Sequence, residues 1–372
     1  MRLPPFKLER YFAEYEFKVR HLLSASDCES LALPDLLALA DAETREIWEH
    51  LWLGYTESEG HPLLRSEIAL LYREIPSERV LVAVPEEAIF ISMNGLLDPG
   101  DEVIVTWPAY QSLAEVAAAI GCQVVRWPLT VRDEAWKLDA ETLSRLITPR
   151  TRMVVVNFPH NPTGYLPAPD EWTAIVDTVS RSGAILFSDE MYRGLEMPGV
   201  QRLPSACDCA ARGVTLSGLS KSYGLPGLRI GWLATHDRDV LRRAGGIKDY
   251  TTICSSAPSE ILGIIALRAG QTIVARNTGI VRHNCGLAEA FFGARPDAYE
   301  WLPPMAGSVA FPRLRLPMTA LAYAQECLDT RGVMIAPGEM FEMPGHFRVG
   351  LGRRSFGEAL AALGAASCNR RL

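Results

Sequence analysis

The chain has 372 residues, 48% of them hydrophobic and 22% charged, and carries a formal net charge of -7 at pH 7. That is enough chain for two domains around a large core, and the acidic balance gives no general attraction to nucleic acid or to an anionic membrane. No apolar run approaches the ~18 residues needed to cross a bilayer, and the segment from Met1 to Arg10 lacks the apolar core of a signal peptide. A cytoplasmic location, with no nucleic-acid or membrane partner, is therefore expected. The eight cysteines are scattered without a Cys-x-x-Cys or a nearby His pair, and read as buried reduced thiols rather than a metal site.

Residues 35–53 read as an amphipathic helix, followed by a turn at Gly54-Tyr55 and a second helix from Pro62 to Glu74. Short β-branched runs follow at 80–84, 102–106, 122–127, 153–157 and 184–188. Helical stretches at 86–97, 110–120, 139–147 and 168–182 alternate with them. That alternation predicts an α/β fold, a mostly parallel sheet covered by helices on both faces. Two more strands are expected at 213–217 and 229–234, then near-continuous helix from 259 to about 292. A smaller α+β unit follows, with strands near 308–313, 333–336 and 347–351. Ligands of such sheets sit beyond the carboxyl ends of the strands, which is where the chemistry-bearing motifs of this chain fall.

The run Ser217-Gly-Leu-Ser220-Lys221-Ser-Tyr-Gly-Leu-Pro-Gly-Leu-Arg229-Ile-Gly-Trp232 surrounds a lysine with small residues, leaving bare backbone and room for a planar group. A desolvated lysine is more often the neutral amine, able to form a Schiff base with an aldehyde such as pyridoxal phosphate. By itself a Ser-Lys pair reads equally as a surface turn. Asn161, in Asn157-Phe-Pro-His-Asn161-Pro-Thr-Gly164, is held on a tight turn where its amide can donate to a phenolate, or serve the turn alone. Asp189, in Ser188-Asp189-Glu-Met-Tyr192, is a strand-end carboxylate that suits a protonated pyridine nitrogen, or a helix cap. Arg229 offers a fork for a phosphate, with the Ser217 and Ser220 hydroxyls near in sequence. Arg348, inside the apolar run Phe347-Arg-Val-Gly350, requires an anion, either a substrate carboxylate or an internal acid.

Taken together and in this order, these motifs resemble the pyridoxal-phosphate-dependent class I/II aminotransferases of fold type I, the aspartate aminotransferase superfamily, across nearly the whole chain. The resemblance implies a large domain with a seven-stranded-type sheet at 36–280, a small domain at 281–372, and an N-terminal segment, 1–35, packed on the small domain. It makes Lys221 the Schiff-base lysine and proton shuttle and Asp189 the partner of the pyridine nitrogen. Asn161 and Tyr192 bind the ring hydroxyl, Tyr110 stacks on the ring, Arg229 holds the phosphate, and Arg348 takes the substrate carboxylate. It also assigns Tyr55 to the neighbouring subunit's phosphate, hence a homodimer with shared sites.

The implied reaction moves an amino group between an amino acid and a 2-oxo acid. Elimination, replacement or cyclisation is the alternative, since residues 157–164 and 248–258 are similar to the subgroup containing capreomycidine synthase. A binding protein without catalysis is the minor one. Two departures stand out. Val84-Pro85 replaces the small pair that opens the phosphate-binding helix, and Gly218 replaces the serine three residues before the lysine. In the segment Ser24-Ala-Ser-Asp27-Cys-Glu29, Asp27 or Glu29 is a candidate receiver for a cationic distal group of the substrate; an exposed acidic loop capping the next helix is the alternative.

Overall fold

The computed structural model describes residues 2–365; Cys368 and the end of the expected 281–372 domain lie outside the described residues. Its centre is an eight-stranded sheet built from β1 (Val80–Ala83), β2 (Glu102–Trp107), β3 (Gln123–Arg132), β4 (Ala135–Leu138), β5 (Thr151–Asn157), β6 (Ile185–Asp189), β7 (Gly213–Gly218) and β8 (Gly231–Ala234). The spatial order is β1-β8-β7-β6-β5-β2-β3-β4. Parallel pairing runs from β3 through β2, β5 and β6 to β7. β8 is antiparallel to both its neighbours, and β4 folds back on β3.

The central strands are apolar on both faces, as a doubly covered sheet requires. Ile104, Val154 and Leu186 face a core closed by Trp172, Ile175 and Val179 of the helix Pro169–Ser182. Val103, Val105, Val155 and Phe187 face one closed by the helices Pro85–Leu96, Ser112–Ile120 and Arg238–Lys248. A separate core gathers Val281, Phe292, Tyr323, Phe347, Val349 and Phe356. The strand His21–Leu22 pairs in parallel with Val333–Met334, so the N-terminal segment is hydrogen-bonded to the C-terminal part of the chain. No helix among the described residues is long and apolar enough to cross a membrane.

Three expectations need adjustment. The helix read over 35–53 is two, Leu33–Leu37 and Ala42–Glu49, because the Asp41 carboxylate accepts from Thr44 N at 2.8 Å and starts a new helix inside the window. The long helix from 259 breaks at Ala269 into Ala257–Arg268 and Gly270–Gly293, where Gly270 lies against the Tyr223 ring and a side chain would be crowded. Of the seven described cysteines, Cys28, Cys207 and Cys327 are buried, whereas Cys209 is exposed.

Candidate active site

Strand register sets the floor of the site. Asn157 at the end of β5 lies opposite Asp189 at the end of β6, which lies opposite Leu216 in β7. Asn157 then ties the rim together: its Nδ2 donates to Asp189 O at 3.0 Å, and its Oδ1 accepts from Asn161 N at 2.8 Å. His160 fixes the same loop from the other side, with Nε2 on Pro108 O and Nδ1 on Thr163 Oγ1, both at 2.8 Å. A carbonyl only accepts, so Nε2 carries the proton, and burial holds the ring neutral with a pKa near 4. The 24–28 segment closes the site from above. It can do so because Gly350 and Gly352 have no side chain: a Cβ there would overlap Ala25 O and Asp27 O.

These elements bring Lys221, Asp189, Asn161, Tyr192 and Arg348 together. Lys221 Nζ donates to Ser26 Oγ at 2.8 Å. Burial pushes the Lys221 pKa below its ordinary value; Asp27 opposes the shift and Arg348 adds to it. The Asp189 carboxyl is raised to about 7, chiefly by burial. The N–H of Met191, 3.1 Å from Oδ1, works against the rise, and Glu86 contributes to it. An acid held there needs a cationic partner to stay ionised. Burial also lifts the Tyr192 phenol above its usual range, against the pull of Arg348.

Arg348 is 2% exposed, and among the described residues it forms no ion pair. Its donors reach Asn161 Oδ1 at 3.1 Å and Ser24 O at 3.0 Å, its Nε has no hydrogen-bond partner, and the rings of Phe12 and Phe341 flank it at 5.7 and 5.4 Å. Among the described residues no internal acid takes the place of that anion. With its oxygen on Arg348, Asn161 presents its NH2 as the donor end.

The other expected residues divide. Tyr110 stands at the site beside Phe6, their rings 5.2 Å apart, and its hydroxyl donates to Glu9 Oε1 at 3.3 Å. Ser220 Oγ is buried without a hydrogen-bond partner. Arg229 has φ +55°, the left-handed region a non-glycine residue rarely adopts, at the end of the turn Pro226–Leu228. Ser217 is a correction. It sits on the opposite face of β7 from Leu216 and lines a separate cavity of about 860 Å³ with Tyr72, Tyr223 and Trp232.

Asp27 is likewise not an open receiver, because Arg353 Nη2 binds its Oδ2 at 2.7 Å; the Glu29 carboxylate accepts from Arg354 N. Tyr55 is 87% exposed and stands away from the Lys221 pocket, in a cavity with Leu53 and residues 252–258.

Two acids that composition did not single out are at the mouth instead. Glu9 belongs to the helix Lys7–Tyr15, stitched down by Lys7 N on Gln111 Oε1 and Tyr11 Oη on Ile335 O. Glu16, at the end of that helix, has its carboxyl raised by burial, then by Asp27 and Glu9, with Arg353 and Lys221 opposing. Ser26 was also missed as a partner of the lysine. Its signal was the short Ser-Ala-Ser run.

Residues 22–356 match the family Aminotransferase class I and II. The chain belongs to that family. Capreomycidine synthase of Streptomyces vinaceus is 31% identical over 353 residues, covering 94% of this chain and 89% of that protein. Arginine–pyruvate transaminase AruH of Pseudomonas aeruginosa is 32% identical over 317 residues, 80% of this chain and 77% of its own. The structure of a PLP-dependent aminotransferase from Streptococcus suis superposes with a TM-score of 0.90 at 29% identity, covering 98% of this chain and 96% of that one. As a member of this pyridoxal-phosphate-dependent aminotransferase family, the chain has the expected fold type I architecture. Its sheet counts eight strands because the hairpin β3–β4 adds one at the edge.

The residues present fit the ring end of pyridoxal phosphate. Asp189 is a buried acid in need of a cation, Asn161 presents a free donor end, and Lys221 is a buried amine. Of the residues expected at the phosphate, Ser220 has a buried hydroxyl free to donate, whereas Arg229 turns Nη1 onto Pro226 O at 3.0 Å.

Proposed function

We propose that this protein is a pyridoxal-phosphate-dependent aminotransferase that passes the amino group of a polar or cationic amino acid to a 2-oxo acid. The observation that carries the reading is Arg348, a buried guanidinium with no acidic partner, gathered into one pocket with a buried lysine. When bound, pyridoxal phosphate supplies an electron-withdrawing ring that makes the substrate α-proton removable. Arg348 pairs with the substrate α-carboxylate as a two-pronged donor, which orients the α-carbon. Lys221 Nζ, held toward its neutral form, takes the α-proton and is steered by Ser26 Oγ. Asp189 would pair with a protonated ring nitrogen, which would keep this buried carboxyl ionised, and the 24–28 segment would keep water from the site.

A second reading, cyclisation of an amino acid, is favoured by the 31% identity to capreomycidine synthase over 94% of the chain. The two part company at the α-nitrogen. With α-15N-labelled arginine or ornithine and a panel of 2-oxo acids, amino transfer puts the label in a new amino acid, whereas a cyclised product retains it. Label that never leaves the donor skeleton overturns the first reading.

The substrate class follows from charge at the mouth. Glu9 on the helix Lys7–Tyr15 and Glu16 just beyond its end both act electrostatically on Lys221, and Asp27 is already paired. The similarity to arginine–pyruvate transaminase AruH supports the same reading. Replacing Glu9 and Glu16 by glutamine is expected to cut the preference in kcat/KM for arginine over norleucine by about tenfold, since a charge-assisted contact is worth roughly 1.5–3 kcal/mol and these acids are partly hydrated. An unchanged ratio removes the idea.

A homodimer completes the reading. Trp52, Leu53, Tyr55, Tyr250 and Ile253 form an exposed apolar group, with Trp52 80% and Tyr250 91% exposed, more than an isolated soluble subunit usually leaves bare. Tyr55 then reaches the other subunit's phosphate end. Sedimentation is expected to give twice the chain mass, and mixing Tyr55→Ala with Lys221→Ala chains should yield more activity than both alone. An active monomer contradicts this.

A further inference from the structure

Lys248 is a second lysine hidden from solvent, at the end of the helix Arg238–Lys248 and 0% exposed. A buried ammonium is costly unless its protons are taken up. Two backbone carbonyls take them: Ser58 O at 2.7 Å and Ile253 O at 2.8 Å. These acceptors stand 195 residues apart in the chain, so one side chain ties together two loops that nothing in the local sequence connects.

The tie is reinforced at Ile253. Its carbonyl also accepts from Ser58 Oγ at 2.8 Å, and its N–H donates to Lys248 O at 3.1 Å. Ile253 has φ +65°, a left-handed conformation that a β-branched residue adopts only where its surroundings hold it there. Lys248 and Ser58 supply that hold. The loops so joined carry Trp52, Leu53 and Tyr55 on one side and Tyr250 and Ile253 on the other, all of them exposed, and they face one another across a cavity of about 440 Å³. Neither Lys221 nor Asp189 lines that cavity. A further anchor leads inward: Glu87, in the first turn of the helix Pro85–Leu96, accepts from the Thr251 and Thr252 hydroxyls. Glu87 fastens the second loop to its own subunit; what Lys248 adds is the link to the first loop.

We propose that Lys248 is a positioning residue for the partner subunit's active site: it shapes the 52–58 and 249–258 loops into one preformed unit before association, and that unit completes the site of the other chain. Loops ordered in advance lose less freedom on docking, which favours assembly. The proposal rests on the homodimer with shared sites.

Lys248→Met is expected to lower activity by about tenfold or more, since a small misplacement of a site-completing element costs rate steeply. Mixing should repair the loss. In a hybrid of Lys248→Met and Lys221→Ala chains, one site has Lys221 from the first chain and intact loops from the second. With the Lys221→Ala chain in excess, activity per Lys248→Met chain should rise about fivefold, most of the way back across that loss. A role inside its own subunit gives no rise, because the chain that holds the lysine is then the damaged one. Tyr55→Ala mixed with Lys221→Ala is the control for the shared site. A gain in the control and none with Lys248→Met overturns the proposal alone, as does a Lys248→Met chain as active as the wild type. No gain in either mixture overturns the shared site as well. If Lys248→Met fails to fold, Ser58→Ala, which removes the hydroxyl on Ile253 O, takes its place: a loss repaired by mixing supports the proposal, and no loss, or a loss that mixing leaves unchanged, overturns it.

Discussion

Lys221→Ala is expected to lower kcat for amino transfer by at least about 1,000-fold, because it removes the buried amine that the proposed function charges with taking the α-proton. The same variant should leave no pyridoxal phosphate on residue 221 after borohydride reduction, read by peptide mass. Folding is not the expected casualty: the Lys221 amine makes one hydrogen bond, to Ser26 Oγ, and burying a charged amine is itself costly. A melting temperature equal to or above that of the wild type, alongside lost activity, separates a chemical role from a structural one. Retention of a tenth or more of the wild-type rate would show that another group moves the proton.

The second large effect is expected at Arg348. Arg348→Leu loses two charge-assisted hydrogen bonds to the substrate carboxylate, each worth roughly 1.5–3 kcal/mol, so kcat/KM should fall by on the order of 100-fold or more. Arg348 also braces Asn161 Oδ1 and Ser24 O, which makes a structural explanation available. The two are told apart by substrate. If the carboxylate contact matters, the variant's loss is large for amino acids and small for the matching amines that lack a carboxylate; an equal loss for both assigns Arg348 to bracing. Arg348→Lys keeps the charge without the fork and should fall between.

How much of this was legible follows from what kind of interaction fixes each residue. The parallel strands were visible because burial on both faces demands runs such as Val154-Val-Val156, and their ends carry Asn157 and Asp189 one above the other. Strand β4 was not, because its turn is Asp133-Glu134, two residues at positive φ without the glycine that marks such a hairpin. Ser217 was misassigned by proximity in sequence: one residue along a strand turns a side chain to the opposite face.

Long-range electrostatics escaped altogether. Nothing local marks Glu9 as a neighbour of Tyr110, 101 residues away, or Arg353 as the partner that takes Asp27. Arg348 shows the reverse. An arginine in an apolar run demanded an anion from sequence alone, and the structure removes the internal acid as its partner while leaving an unpaired Nε. Asn161 was legible as a residue and its brace was not, since Asn157 holds it through a backbone N–H that any residue at 161 would offer.

The central claim is that the pocket of Lys221, Asp189, Asn161 and Arg348 carries out amino transfer, and one half of that reaction tests it most directly. The holoprotein is mixed with excess arginine or ornithine and no 2-oxo acid, then denatured, and the released cofactor is identified by chromatography. Amino transfer predicts that the cofactor leaves as pyridoxamine phosphate, one equivalent per site, and that addition of pyruvate returns it to pyridoxal phosphate. Consumption of the amino acid while the cofactor stays entirely as pyridoxal phosphate would contradict the account.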